Sequence, residues 1–317
     1  MQIREDGSGF QYIHCVRYWE DITSRGMTPG GDQRFIIAVR NRTPGSSPPE
    51  DQLLFTSEDA TAAFSNPSYE VLARDAGEEI QRATWSPDGT RFAFGVWRND
   101  PVARKRHYRL DLLVADVVWE DGRPVGIEEP RVVVEGLNPD VAESFAWAGN
   151  SQRLAFLGAG APWQVLDIDT VGATAEALPD GDVMGPPAFP PGDPDTFAYS
   201  APTTVTLTDK KGRITAIINR RDLFVAVRAD GEWTKRQVTS YTTCSLNDIG
   251  GPEWSPDGDA IAFTAGDLWT SDVSEAQAIW RVNADGTGCV RLTTPKIVKS
   301  KNLRWMAYTC GGPRWRR

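Results

Sequence analysis

Nucleophilic chemistry needs a base beside its nucleophile, and this 317-residue chain has only two histidines, His14 and His107. It contains no Gly-x-Ser-x-Gly elbow, so an α/β-hydrolase nucleophile is not indicated. Two histidines are too few for a polyhistidine metal centre, and no EF-hand-type loop is present. Among 43 Asp and Glu residues a pair of carboxylates placed for glycosidic cleavage stays open, because linear spacing does not reveal which acids converge. The sequence therefore assigns no catalytic residue, no metal ligand and no cofactor.

Groups suited to holding a ligand are easier to find. Arg98, Arg104, Lys105, Arg106 and His107 form a basic run in an otherwise acidic chain. Arg98, Arg106 and His107 are the candidate contacts for an anionic ligand or acidic peptide; the alternative is a solvated charge run. Of the 12 tryptophans, Trp163 and Trp269 fall in or beside expected loops. They are the candidate stacking platforms for a small ligand or carbohydrate, with structural packing as the competing role.

Composition narrows the partners. A formal net charge of −9 repels phosphate backbones, so nucleic acid is excluded as an expected partner. No run approaches the ~20 apolar residues of a membrane span, and the N-terminal residues lack an apolar signal core. As it stands the chain reads as cytoplasmic. Removal of a signal peptide would leave the same sequence, so a periplasmic or secreted location stays open. The cysteines Cys15, Cys244, Cys289 and Cys310 lie far apart without a Cys-x-x-Cys pair, which argues against a zinc or thioredoxin-like site.

The elements that must position these groups are announced by a repeat. The chain reads WSPDGTRFAFGV from Trp85, WAGNSQRLAFLG from Trp147 and WSPDGDAIAFTA from Trp254. Two further copies, TPGGDQRFIIAV from Thr28 and FPPGDPDTFAYS from Phe189, are less regular. Pro presets one turn position, and Asp-Gly supplies a side-chain acceptor and a permissive φ, so each SPDG reads as a hairpin turn. The following Phe92-Ala93-Phe94, Leu154-Ala155-Phe156 and Ile261-Ala262-Phe263 alternate large and small, as suits a strand pressed between neighbouring sheets. Later strands and turns complete each unit, for example Ala278 to Val282, the turn Asn283 to Gly288, and Cys289 to Thr293.

Four antiparallel strands per unit make a propeller blade, and radial repetition protects sheet edges. The WSPDG turn, the IAF-like strand and the NADGTGCVRLTT ending resemble the TolB-type, WD-repeat-like β-propeller repeat, also found beside prolyl-oligopeptidase-like peptidases. The expected fold is a single all-β domain over residues 1–317: a six-bladed β-propeller of four-stranded antiparallel blades, its last blade closed by both termini. Phe10 to Val16 and Met306-Ala307-Tyr308 are the strands expected to share that blade, with an open or truncated ring as the alternative. A Cys15–Cys310 staple would tie the ends together. Ordinary buried thiols are the favoured reading for that pair, and Cys244 and Cys289 carry the same ambiguity.

The SPDG turns lie at one end of the blades, so long insertions at 40–52, 98–108, 200–221 and 265–277 gather at the other. Long loops on a rigid scaffold are common binding places. The insertion at 200–221 reads as two strands joined by Asp209-Lys210-Lys211-Gly212, an added hairpin. The expected function is a non-enzymatic binding or protein-interaction module acting through that face and the channel mouth, a role the resemblance also implies. The alternative is a hydrolase or lyase acting on a sugar or peptide there.

Overall fold

The computed structural model describes residues 20–27, 34–40, 52–57, 69–73, 78–99, 108–121, 123–137, 145–179, 183–244, 246–267 and 278–293. These residues form antiparallel sheets without a helix and divide into two compact units between Leu178 and Pro179.

The N-terminal unit holds three sheets. The first is β1 (Glu20–Met27), β2 (Arg34–Arg40), β3 (Gln52–Ser57) and β4 (Tyr69–Ala73). The second is β5 (Glu78–Trp85), β6 (Arg91–Asn99), β7 (Tyr108–Glu120), β8 (Arg123–Ile127) and β9 (Arg131–Leu137). The third is β10 (Phe145–Trp147), β11 (Arg153–Leu157), β12 (Trp163–Asp167) and β13 (Glu176–Ala177). The C-terminal unit holds two. One is β14 (Met184–Ala188), β15 (Thr196–Thr208), β16 (Ile214–Ala229) and β17 (Glu232–Gln237). The other is β18 (Leu246–Trp254), β19 (Ala260–Asp267), β20 (Ala278–Asn283) and β21 (Val290–Arg291).

The expectation of six four-stranded blades is corrected by this count: among the described residues four sheets have four strands and the remaining one has five. The extra strand arises because β7 is 13 residues long and its two halves take different partners. Leu110 to Val114 pair with β9, whereas Val117 to Glu120 pair with β8. The composite blade built from both termini, with Cys15 and Cys310, lies outside the described residues.

The repeat explains the packing. Gly89 and Gly258 close the two SPDG turns at φ 75° and 79°, each amide donating to the carbonyl of the turn serine at 2.9 Å. The third copy has Ser151 at a φ of 60°, a conformation that costs a side-chain-bearing residue some strain. Its hydroxyl accepts the amide of Asp88 from the neighbouring turn at 3.0 Å, tying the two sheets together. In β6 the large Phe92 and Phe94 pack with Trp85, Leu113 and Ala115 on one face. The small Ala93 lies on the other, in the cluster that holds Phe145, Trp147, Leu154 and Phe156 of the next sheet. The C-terminal unit repeats the arrangement, with Ala198 in the cluster of Trp254, Ile261 and Phe263. The repeat tryptophans also stitch neighbouring sheets: Trp147 Nε1 donates to Thr84 O, and Trp254 Nε1 to Ala188 O, both at 2.9 Å. Each acceptor is the residue immediately before the aromatic of the preceding repeat, so one spacing sets both strand and joint.

Candidate binding site

The hairpin expected from Asp209-Lys210-Lys211-Gly212 is present, and it is longer than its sheet. β15 and β16 pair from Thr196↔Val227 outward to Thr208↔Ile214. β14 accompanies β15 only as far as Ser200, and β17 accompanies β16 only from Phe224 onward. Beyond those points a two-stranded ribbon continues alone among the described residues, about 20 Å long at the usual rise per residue.

β-branched residues explain why the ribbon forms: Thr203, Thr204, Val205, Thr206 and Thr208 face Ile214, Thr215, Ile217 and Ile218. At the tip, Asp209 O accepts the amide of Gly212 at 2.9 Å, with Gly212 at φ 75°. The backbone N–H of Arg213, and then its guanidinium at 2.8 Å, hold the Asp209 carboxyl below its ordinary pKa. One face of the ribbon, carrying Thr203, Val205, Leu207, Ala216 and Ile218, is half-buried. The other is open: Ile214 and Ile217 are 63% and 62% exposed.

A buried ion pair anchors the base. Arg220 and Asp222 lie two residues apart on β16 with side chains 0% and 1% exposed, and Arg220 Nη2 donates to Asp222 Oδ1. Thr203 Oγ1 donates to Asp222 Oδ2 at 2.5 Å, Gln237 Nε2 to the same oxygen at 3.1 Å, and Thr239 Oγ1 to Oδ1 at 3.0 Å. Three strands or their extensions thus converge on one carboxylate. Arg220 Nη2 also donates to Cys244 O at 3.0 Å, while its Nε and Nη1 are buried without a partner among the described residues. Cys244 is joined to Cys289 by a disulfide. The ambiguity that the sequence left for these two is resolved as a bridge: the fold brings the segment before β18 against the segment before β21, and the Cα atoms lie 6.1 Å apart.

The second sheet has the same device. Arg109 and Asp111 lie two residues apart on β7, joined at 2.9 Å, with Asp111 buried and Arg109 45% exposed. Register makes the positions equivalent: Asp111 stands opposite Val96, and Asp222 opposite Ala201, two residues along from the Phe94↔Leu113 and Tyr199↔Phe224 pairs. The repeated Arg-x-Asp-Leu of 109–112 and 220–223 was the available signal, and reading for turns and aromatics passed over it.

The residues singled out from sequence are not brought together in what is described. Arg98 lies in β6, between Glu78 and Arg109 in the ladder. Arg106, His107 and Trp269 lie outside the described residues. Trp163 opens β12 and is 1% exposed, enclosed by the sheet rather than offered as a flat face to solvent.

Comparison with solved structures completes the picture. A putative TolB from Agrobacterium tumefaciens superposes with a TM-score of 0.53 at 17% identity, over 86% of this chain and 81% of that one. The fold is a TolB-type β-propeller. A puromycin hydrolase superposes equally well, with a TM-score of 0.53 at 16% identity over 93% of this chain, which spans only 43% of that longer protein. At such identities the likeness shows the fold alone. No protein-family model matches the chain, and no curated protein matches its sequence. Among the described residues no helix is long and apolar enough to cross a membrane.

Proposed function

We propose that this chain is a non-enzymatic binding module that engages a protein or peptide partner through its projecting hairpin and neighbouring loops. The observation that carries the reading is the ribbon itself. A two-stranded sheet is marginal in water on its own, yet this one extends beyond its blade with an open face bearing Ile214 and Ile217. Its base is fixed by the buried Arg220–Asp222 pair, so the element is presented in a set direction at small ordering cost, as recognition favours. The matched TolB structure bears on this reading through the shared scaffold only. Arg98, Arg106, His107 and Trp269 as further ligand contacts belong to the same proposal. A location outside the cytoplasm accords with the Cys244–Cys289 disulfide, since such bonds persist in oxidising compartments.

The test compares intact chain with a variant in which residues 204–219 are replaced by a two-residue Asn-Gly turn between the partners Thr203 and Arg220, each immobilised and exposed to extract of the source cells. The variant should fold, by circular dichroism, and lose the partner. Equal recovery by both chains would remove the hairpin from the docking reading.

A further inference from the structure

We propose that the Asp230-Gly231 turn between β16 and β17 is a site of spontaneous backbone modification, at which the aspartyl linkage converts to an isoaspartyl one. The chemistry is intramolecular. The Gly231 nitrogen bonds to Cγ of Asp230, its proton and a carboxyl hydroxyl leave together as water, and a five-membered succinimide closes. Water then reopens the ring at either carbonyl. Breaking the N–Cγ bond restores aspartate, whereas breaking the bond from that nitrogen to the main-chain carbonyl carbon leaves the chain running through the side chain. Glycine in the second position favours closure because no Cβ obstructs the approach. Four complete Asp-Gly pairs lie within the described residues, at 88–89, 230–231, 257–258 and 285–286.

The fold separates these four. At three of them both reacting groups are tied. The amides of Gly89, Gly258 and Gly286 donate to Ser86 O, Ser255 O and Asn283 O, each at 2.9 Å. Asp88 Oδ1 accepts the Ser86 hydroxyl at 2.6 Å and the Thr90 amide at 3.0 Å. Asp257 Oδ1 accepts the Ser255 hydroxyl at 2.5 Å, and Asp285 Oδ1 accepts the Thr287 hydroxyl at 2.7 Å and its amide at 2.8 Å. In Asp88 burial raises the carboxyl pKa but the bonds outweigh it, and in Asp257 and Asp285 the bonds lower it. Less of the protonated acid, the form that loses water, is then present. Asp230 and Gly231 lack these restraints. They join the partners Ala229 and Glu232 at φ of 54° and 83°, the two positive values of the hairpin turn that Asp-Gly favours. Among the described residues the Gly231 amide and the Asp230 carboxylate make no hydrogen bond, and all four residues of the turn are exposed. A Cβ on Gly231 would meet nothing within 4 Å, whereas one on Gly286 would meet Val238 O at 3.0 Å. Isomerisation adds one carbon to the main chain at the turn that sets the register of β17, and just beyond the last pair of that strand's ladder Gln237 reaches Asp222.

The test holds the intact protein at mildly acidic pH and physiological temperature, with samples drawn over weeks and mapped as proteolytic peptides. Chromatographic retention and fragment ions tell isoaspartate from aspartate, and a succinimide is lighter by one water. The tryptic peptide 229–235 contains Asp230 as its single aspartate. Isoaspartate there should accumulate at least about tenfold faster than at Asp88, Asp257 or Asp285, where two or more hydrogen bonds must break before the ring can close. In concentrated urea, where the turns are lost, the four rates should converge. Asparagine closes the same ring with loss of ammonia, so Asp230→Asn should deamidate at least about tenfold faster than Asp88→Asn, both keeping a side-chain acceptor and a turn-forming residue. No isoaspartate at Asp230, equal rates at the four sites in the folded protein, or an excess at Asp230 that persists in urea would overturn the proposal. So would equal deamidation of the two asparagine variants.

Discussion

Replacing Asp222 by alanine should be among the most damaging single changes in the C-terminal unit. The Arg220 guanidinium is 0% exposed and its Nη2 bonds to that carboxylate and to Cys244 O. Asp222→Ala leaves this cation buried without its counterion, and Thr203, Gln237 and Thr239 lose their acceptor. Breaking a buried ion pair on one side costs about 3–5 kcal/mol. The double change Arg220→Met/Asp222→Leu removes both charges together and keeps much of the volume. What it leaves is a Cys244 carbonyl that keeps only the Leu246 amide at 2.7 Å, and three hydroxyl or amide groups without the carboxylate, a loss of about 1–3 kcal/mol. The double variant should therefore be more stable than Asp222→Ala alone. Urea unfolding followed by tryptophan fluorescence, on both singles and the double, completes the cycle. A cost below about 1 kcal/mol for Asp222→Ala, or a double variant as unstable as the two singles combined, would show that the pair is not coupled and that the ribbon is not anchored through it.

Three further outcomes follow from the turns and the disulfide. Ser255→Ala should cost about 1–3 kcal/mol in urea unfolding, because the buried Ser255 hydroxyl accepts the amide of Ala260 at 2.9 Å and no other acceptor replaces it. Acid should loosen the turns. In Asp257 and Asp285 the hydroxyls of Ser255 and Thr287 lower the carboxyl pKa, and in Asp88 burial raises it but is outweighed by hydrogen bonds from Ser86, Thr90 and Ser151. Lowered folded values mean that this stabilisation is complete above the unfolded pKa, about 3.9, and is lost as pH falls through the folded ones. Thermal unfolding should thus be level from about pH 7 to 5 and drop below about 4, more shallowly when Asp88, Asp257 and Asp285 are all changed to asparagine; equal slopes would refute the assignment. Cys244→Ser should lose about 4 kcal/mol, the loop-closure value for a bridge spanning 45 residues. Thiol counting by mass spectrometry before and after reduction checks that the bridge forms.

The all-β class, the SPDG turns, the alternating strands and the added hairpin were legible in the residues because each depends on neighbours a few positions apart. Pro and Asp-Gly bias φ locally, and a two-residue period reports a strand whatever lies beyond it. The positions of Trp85, Trp147 and Trp254 ahead of their strands were legible too, since the three copies that begin with tryptophan share one spacing. Tertiary structure alone decided the rest. Arg220 and Asp222 read as charges at the edge of an insertion until Thr203, Gln237, Thr239 and Cys244 close around them, and three of those four lie more than fifteen residues from either member. Trp163 read as a loop aromatic until β12 enclosed it, and the state of Cys244 and Cys289 stayed open until the fold set them 6.1 Å apart. Burial and the meeting of distant segments are properties of the packed chain, and no local pattern carries them.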